Sequence, residues 1–359
     1  MTSRCHWFNP ENDTALASGL ARYTPPAAAG AMRDAGAALP LWYGEADDYV
    51  MITGLDAAWY ARMSGLFGFA MRVWPGGGEA VAMPWGWSAY TAHVMRMRGL
   101  TDLPSEDKLK RMRDLSGRAT CAAVVARLRQ SVPSVGVPAM VCRSPEELRR
   151  AVSGPSMIKQ AWSSSGRGLV SADTATLAAV EKRLCNMMAR DGYVTVEPLY
   201  RRSSDFAMLF NKNGQDVDYY GISVFATDCR GAYTGNILAP QDVLEDKIRT
   251  LSADFDAVRT ALPPILAEEL ADYEGLFGID MMTVADTGTI AVAEINMRRT
   301  MGHFAADLYR KHIHPGVRGL FRVVQTRPDD SFNAIGARIT RGTVNLTPPG
   351  GKFSFIVEL

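Results

Sequence analysis

The stretch from Gly278 to Asn296, Gly-Ile-Asp-Met-Met-Thr-Val-Ala-Asp-Thr-Gly-Thr-Ile-Ala-Val-Ala-Glu-Ile-Asn, constrains the chain more than any other. It reads as two strands joined by a tight turn at Asp286-Thr287-Gly288, with Gly288 suited to the left-handed last position of a three-residue loop. A register centred on Thr287 sets Ala285 opposite Thr289 and, counting outward, Asp280 opposite Glu294. Side chains alternate along a strand, so Glu294 and Asn296 share that face. Two carboxylates and an amide oxygen then converge in an otherwise apolar region, where facing like charges destabilise the sheet unless a cation lies between them. An oxygen-only set suits magnesium, which completes its shell with waters and substrate phosphates. The alternative is a solvated face on which each acid pairs with Arg298 or Arg299.

A second segment carries phosphate chemistry. Met157-Ile158-Lys159-Gln160 is a short apolar strand ending beside a lysine, followed by Ala161, Trp162, Ser163, Ser164, Ser165, Gly166, Arg167 and Gly168, and then by the apolar pair Leu169-Val170. Glycines let backbone N–H groups approach a phosphate, serine hydroxyls add donors, and Lys159 supplies charge. The segment lacks the Lys-Ser/Thr ending of a P-loop and runs into a strand rather than a helix, which excludes that class. A Ser/Gly loop taken alone is more often a plain connector.

From Ser116 the elements read as helix Arg118 to Gln130, strand Ala139 to Cys142, helix Pro145 to Val152 and strand Ser156 to Gln160, an α+β alternation. Ser144-Pro145-Glu146-Glu147 is a helix start, with Pro at the first helical position and acids in the first turn. Further on, Tyr193 to Glu197, Phe206 to Phe210 and Val217 to Phe225 are strand-like, and Ala257 to Tyr273 is helix-like despite Pro263-Pro264.

The chain has 359 residues, enough for two or three domains, and its 39 Lys+Arg against 38 Asp+Glu leave no field that favours nucleic acid or an anionic membrane. Five scattered cysteines, none in a CxxC pair, argue against a disulfide framework and a zinc site. With no signal-peptide pattern and no apolar run of about 18 residues, a cytoplasmic location is expected.

In this order the segments from Ser116 to about Gly302 resemble the ATP-grasp superfamily of ligases. The resemblance implies an α+β fold of two lobes clasping ATP, preceded by an N-terminal α/β-type domain. It divides the chain into residues 1–104 (substrate domain), 105–192 (small lobe), 193–320 (large lobe with the metal site) and 321–359 (a segment packing on the large lobe). ATP and Mg2+ (or Mn2+) are the implied cofactors, with Asp280, Glu294 and Asn296 as the metal set and Lys159 with residues 163–168 over the phosphates. Glu197, Pro198 and Leu199, within Val194-Thr-Val-Glu-Pro-Leu199, correspond to the adenine hinge, and Asp205 to the ribose-binding acid. Arg118 falls where many members have a first phosphate-binding lysine; an exposed arginine at a helix start explains it equally well. Position 278 is Gly where some members carry a catalytic arginine, and Arg298 of Glu-Ile-Asn-Met-Arg298 is the candidate for that role. The first hundred residues do not display the Rossmann-like opening of most members.

Asn9, Glu11 and Asn12, in His6-Trp-Phe-Asn-Pro-Glu-Asn-Asp13, form a polar cluster richer than a helix cap requires, although Asn12 or Asp13 would serve as a cap to Thr14–Leu20. The cluster is assigned to the acceptor-substrate pocket. Arg201, Arg202 and His303 are further candidates for a substrate carboxylate. The expected reaction is ligation of a small carboxylic acid to an amine through an acyl phosphate, releasing ADP and phosphate. The alternatives are a kinase-like phosphoryl transfer and a non-catalytic ATP-binding regulator. Small-molecule carboxylate and amine partners follow, and the tail Thr343 to Leu359 is compatible with a lid, an edge strand or a homodimer contact.

Overall fold

A computed structural model describes residues 2–162, 168–227 and 233–359. The chain opens with a four-stranded parallel sheet: Arg4–Trp7 lies between Tyr49–Val50 and Val81–Pro84, and Arg72–Val73 pairs outside Tyr49–Val50. Helices Asn12–Ser18, Ala27–Gly36 and Ala57–Phe67 lie on the connections. The strand order, third-second-first-fourth along the chain, is that of a doubly wound α/β sheet, whose crevice opens at the carboxyl ends of the first and fourth strands. The opening is therefore Rossmann-like after all. Strands of two to four residues are too short to display an alternation, which is why the sequence conceals them.

Next comes a small antiparallel sheet ordered Met140–Cys142, Val194–Pro198, Ser156–Gln160, Leu169–Ala172. Ile158, Val170, Val194 and Val196 form its core with Leu148 and Leu184 of the helices Pro145–Ala151 and Leu177–Asp191. Ser144 caps the first of these helices by accepting from the Glu147 amide, with Pro145 in the first turn. Lys159 is thereby fixed opposite Thr195.

The remaining strands build one antiparallel sheet of nine, running Ile290–Asn296, Gly275–Val284, Arg202–Asn213, Asp216–Thr227, Tyr233–Leu238, Gly319–Val324, Ser354–Glu358, Arg338–Asn345, Ser331–Ile335. Phe206, Met208 and Phe210 face a core shared with helices Arg118–Ser131 and Phe255–Glu269, the latter unbroken through Pro263 and Pro264. The alternate residues Ala207 and Leu209 face Ala306 of helix Met301–His312. The last strand, Ser354–Glu358, is interior to the sheet, so the C-terminus is neither a lid nor a free edge. At the opposite end, Ile290–Asn296 is an edge strand, which leaves one side of its backbone free for other partners. Among the described residues no helix is long and apolar enough to cross a membrane.

Candidate functional site

Asp280 pairs with Glu294 across the hairpin, and Gly278 with Asn296. The expected pairing is reached by two steps that compensate. The turn is one residue longer than a three-residue loop, with Val284 bonded to Thr289 and Gly288 left-handed at φ 67°. The ladder then shifts by one between Asp280 and Met281, leaving Ala293 as an extra residue on the second strand. On the shared face, Asn296 Nδ2 donates to Asp280 Oδ2 at 2.9 Å.

Among the described residues, three cations reach the Asp280–Glu294 end of this hairpin. Arg118, the first residue of its helix, is 9% exposed, which removes the reading of a solvated helix-start arginine. It donates to the carbonyls of Gln160 (3.2 Å) and Ala293 (3.1 Å) and to Glu294 Oε2 (2.5 Å). Gly117 before it is a glycine for close approach, since a Cβ there would lie 2.5 Å from the Tyr193 hydroxyl. Lys159 Nζ bonds the Ala293 carbonyl at 3.2 Å and pairs with Glu197 Oε1 at 2.5 Å. Arg298 forks onto Asp13, Nε to Oδ1 at 2.8 Å and Nη2 to Oδ2 at 2.6 Å, and donates to Asn296 Oδ1 at 3.1 Å.

The pairs Arg118–Glu294, Lys159–Glu197 and Arg298–Asp13 leave the fourth carboxylate, Asp280, with no ion-paired cation among the described residues. Its carboxyl is pushed up to about 7, first by burial and then by Glu294. Burial also acts upward on Glu294, but Arg118, Lys159 and Arg298 outweigh it and hold that carboxyl below its usual range. Among the described residues no group of three or more His, Cys, Asp or Glu is gathered as metal ligands. The set here counts three oxygen-bearing side chains only with Asn296. Two facing half-buried carboxylates, one of them with no ion-paired cation among the described residues, nevertheless fit a hard divalent cation.

Two cavities flank Arg118. One is lined by Asp13, Trp162, Glu294 and Asn296, the other by Lys159, Glu197, Cys121 and Val292.

The fold has solved counterparts. Biotin carboxylase from Campylobacter jejuni, in a β,γ-ATP complex, matches over 99% of this chain and 86% of its own at 12% identity and a TM-score of 0.53. Pyruvate carboxylase from Rhizobium etli, with acetyl coenzyme A, matches over 99% of this chain and 36% of its own at 16% identity and a TM-score of 0.53. The biotin carboxylase domain of Hydrogenobacter thermophilus 2-oxoglutarate carboxylase, with MgADP, ADP and bicarbonate, matches over 75% and 66% at 13% identity and a TM-score of 0.50. The chain has the ATP-grasp fold. No family model matches the sequence, and no curated protein does.

Within this ATP-grasp frame the candidates separate. Arg118, Lys159, Glu197, Asp280, Glu294, Asn296 and Arg298 converge as described. Ser163, Ser164, Ser165, Gly166 and Arg167 lie outside the described residues. Gly168 is left-handed at φ 70°, and its carbonyl accepts from the Gln160 amide at 3.0 Å. Of the expected hinge, Glu197 lines a cavity but turns its carboxylate to Lys159, and the Leu199 amide is committed to the Pro155 carbonyl at 3.0 Å. Pro198 is exposed and lines neither cavity. Asp205 shares the Asp280 face through the pairings Met282↔Asp205 and Asp280↔Ala207, and it accepts from Arg202 and Thr227.

Several substrate candidates sit elsewhere. Arg201 is held at the hairpin turn by Asp286 and is 79% exposed in its side chain. His303 is fully buried, its ring closing a capping box with Thr300 and facing the Phe210 carbonyl. Asn9 spends both ends of its amide on the Gly86 backbone, Glu11 pairs with Arg33, and Asn12 packs against Gly86. The N-cap of helix Asn12–Ser18 is Glu11, so neither Asn12 nor Asp13 caps it. Asp13 is the residue that sequence reasoning overlooked. It looks like a cap in the sequence, and only the docking of the parallel domain brings it to Arg298.

Proposed function

We propose that this chain is an ATP-dependent ligase that activates a small carboxylic acid as an acyl phosphate for attack by an amine, releasing ADP and phosphate. The observation that carries the reading is the convergence of Arg118, from the helix packed on the large sheet, and Lys159, from the small sheet, on a hairpin whose Asp280 has no ion-paired cation among the described residues. Lys159 and Arg118 would meet the phosphates of ATP, and Asp280, Glu294 and Asn296 would hold Mg2+. The cation, when bound, neutralises phosphate charge and orients the terminal phosphoryl group. A carboxylate oxygen of the substrate attacks the γ-phosphorus and ADP leaves. The amine nitrogen then attacks the acyl carbon, phosphate departs, and the nitrogen loses its proton to solvent. Arg298 stabilises the charge developing on the transferred group. Catalysis of this kind is positioning and electrostatics, and no protein nucleophile is required.

The test is ATP consumption with Mg2+ by wild type and Glu294→Ala against pooled amino acids and small carboxylic acids, with ADP and AMP resolved. Pool-dependent ADP formation that the substitution abolishes supports the ligase. ADP without any need for an amine indicates a kinase, AMP an adenylating enzyme, and nucleotide binding with no turnover a regulator.

A further inference from the structure

The three ion pairs around the hairpin differ in origin. Arg118–Glu294 and Lys159–Glu197 stay within the two grasp sheets and their helix, whereas Asp13 is delivered by the N-terminal domain onto Arg298. That guanidinium also bonds Asn296, whose amide in turn bonds Asp280, so a full positive charge stands one side chain away from the cation set. An unpaired arginine there competes with a divalent ion for Asp280, the carboxylate with no ion-paired cation among the described residues. The bidentate Asp13 fork cancels that charge and fixes the guanidinium in one orientation.

Resting on the metal assignment above, we propose that Asp13 is a positioning residue that sets the site's affinity for its divalent cation by holding the Arg298 guanidinium in its fork and off Asp280. The N-terminal domain thereby contributes to metal binding. Its docking is built to hold this contact. Gly86 forms an antiparallel bridge with Arg298, and the Arg299 amide donates to the Trp85 carbonyl at 2.8 Å.

The readout is the ratio of ADP affinities with and without Mn2+, measured by titration calorimetry on the full chain, which needs no substrate. Asp13→Asn frees Arg298 and is expected to reduce the Mn2+ enhancement of ADP binding by about tenfold. Asp13→Asn/Arg298→Gln, with both charges gone, is expected to restore it to within about threefold of wild type. Arg298→Gln alone leaves an extra carboxylate and is expected to raise the enhancement above wild type. A purely structural role for Asp13 leaves the double variant as weak as the single one, and that result overturns the proposal, as does an unchanged Asp13→Asn. Should Asp13→Asn fail to fold, Arg298→Gln decides: an increase supports the proposal, and no increase overturns it. Wild type that binds ADP without any Mn2+ enhancement, or binds no ADP, overturns the metal assignment itself, a result distinct from the others.

Discussion

Arg118 and Glu294, 176 positions apart in sequence, are joined by a 2.5 Å hydrogen bond that ties the start of one helix to the edge strand of the large sheet. The arginine is 9% exposed and the glutamate 31%, so the pair lies at the boundary between interior and cleft. Removing one partner of such a pair leaves the other charge poorly solvated. Arg118→Ala is expected to lower stability by about 1–3 kcal/mol in urea unfolding and to weaken ATP binding by about tenfold or more. Arg118→Lys restores the charge but not the directed bonds to Gln160, Ala293 and Glu294, and falls between the two. Unchanged ATP affinity in Arg118→Ala places the phosphates elsewhere.

Asp280 makes the stability of the metal-free protein pH-dependent. Its carboxyl is raised from near 3.8 to about 7, so the folded chain holds a proton that the unfolded chain releases. The contribution is fully present below about pH 4 and is lost as pH rises through 7. Asp280→Asn removes the dependence and is expected to be more stable than wild type at pH 8 in EDTA, by about 1–3 kcal/mol. Adding Mg2+ stabilises wild type and not the variant. Parallel stability curves for the two proteins between pH 5 and pH 8 count against the assignment.

Much of the grasp portion is legible in the sequence because its signals are local. Ser144-Pro145 marks a helix start, and Ser156–Gln160 is apolar enough to be found to the residue. The Asp280–Glu294 pairing is found too, but through a turn counted one residue short and a bulge at Ala293 that sequence does not announce. Bulges cost little and leave no compositional trace, so a register counted from a turn survives them only by compensation. The parallel domain is illegible for the opposite reason. Its strands are brief, and their stability comes from tertiary packing around residues such as Phe8, Trp42 and Met63. Asp13 is lost with that domain, because its meaning depends on a partner 285 positions away.

Three buried histidines, His6, His303 and His312, act on acid stability in the sense opposite to Asp280. His303 is held well below its usual value by burial and by Arg299, and His312, also desolvated, is lowered to about 4. The unfolded chain takes up these protons first, so the contribution is intact above about pH 6.5 and is lost as pH falls. His303→Gln keeps a side chain able to complete the capping box with Thr300 but cannot be protonated. It is expected to match wild type at pH 7.5 within about 1 kcal/mol and to lose less stability between pH 6.5 and 5. An identical loss in both proteins would show that His303 does not set the acid limit.

At Gly86 the N-terminal domain bridges to Arg298, two residues past the edge strand Ile290–Asn296. A Cβ there would lie 2.4 Å from Asn12 Nδ2, 2.6 Å from its Cγ and 3.0 Å from the Arg298 Cβ. The backbone cannot retreat, because the Asn9 amide grips both the N–H and the carbonyl of Gly86, at 3.1 and 2.8 Å. The strain of Gly86→Ala therefore passes to Asn12 and Arg298. We expect a loss of about 1–3 kcal/mol, as for other overpacked sites, without a change in net charge. Because Arg118 and Lys159 do not contact Gly86, ADP affinity without metal should stay within about threefold of wild type while substrate-dependent ADP formation falls by at least tenfold. A variant that is destabilised yet turns over ATP at the wild-type rate would mean that the position of Arg298 is not critical to the reaction, and the role assigned to it would have to be given up.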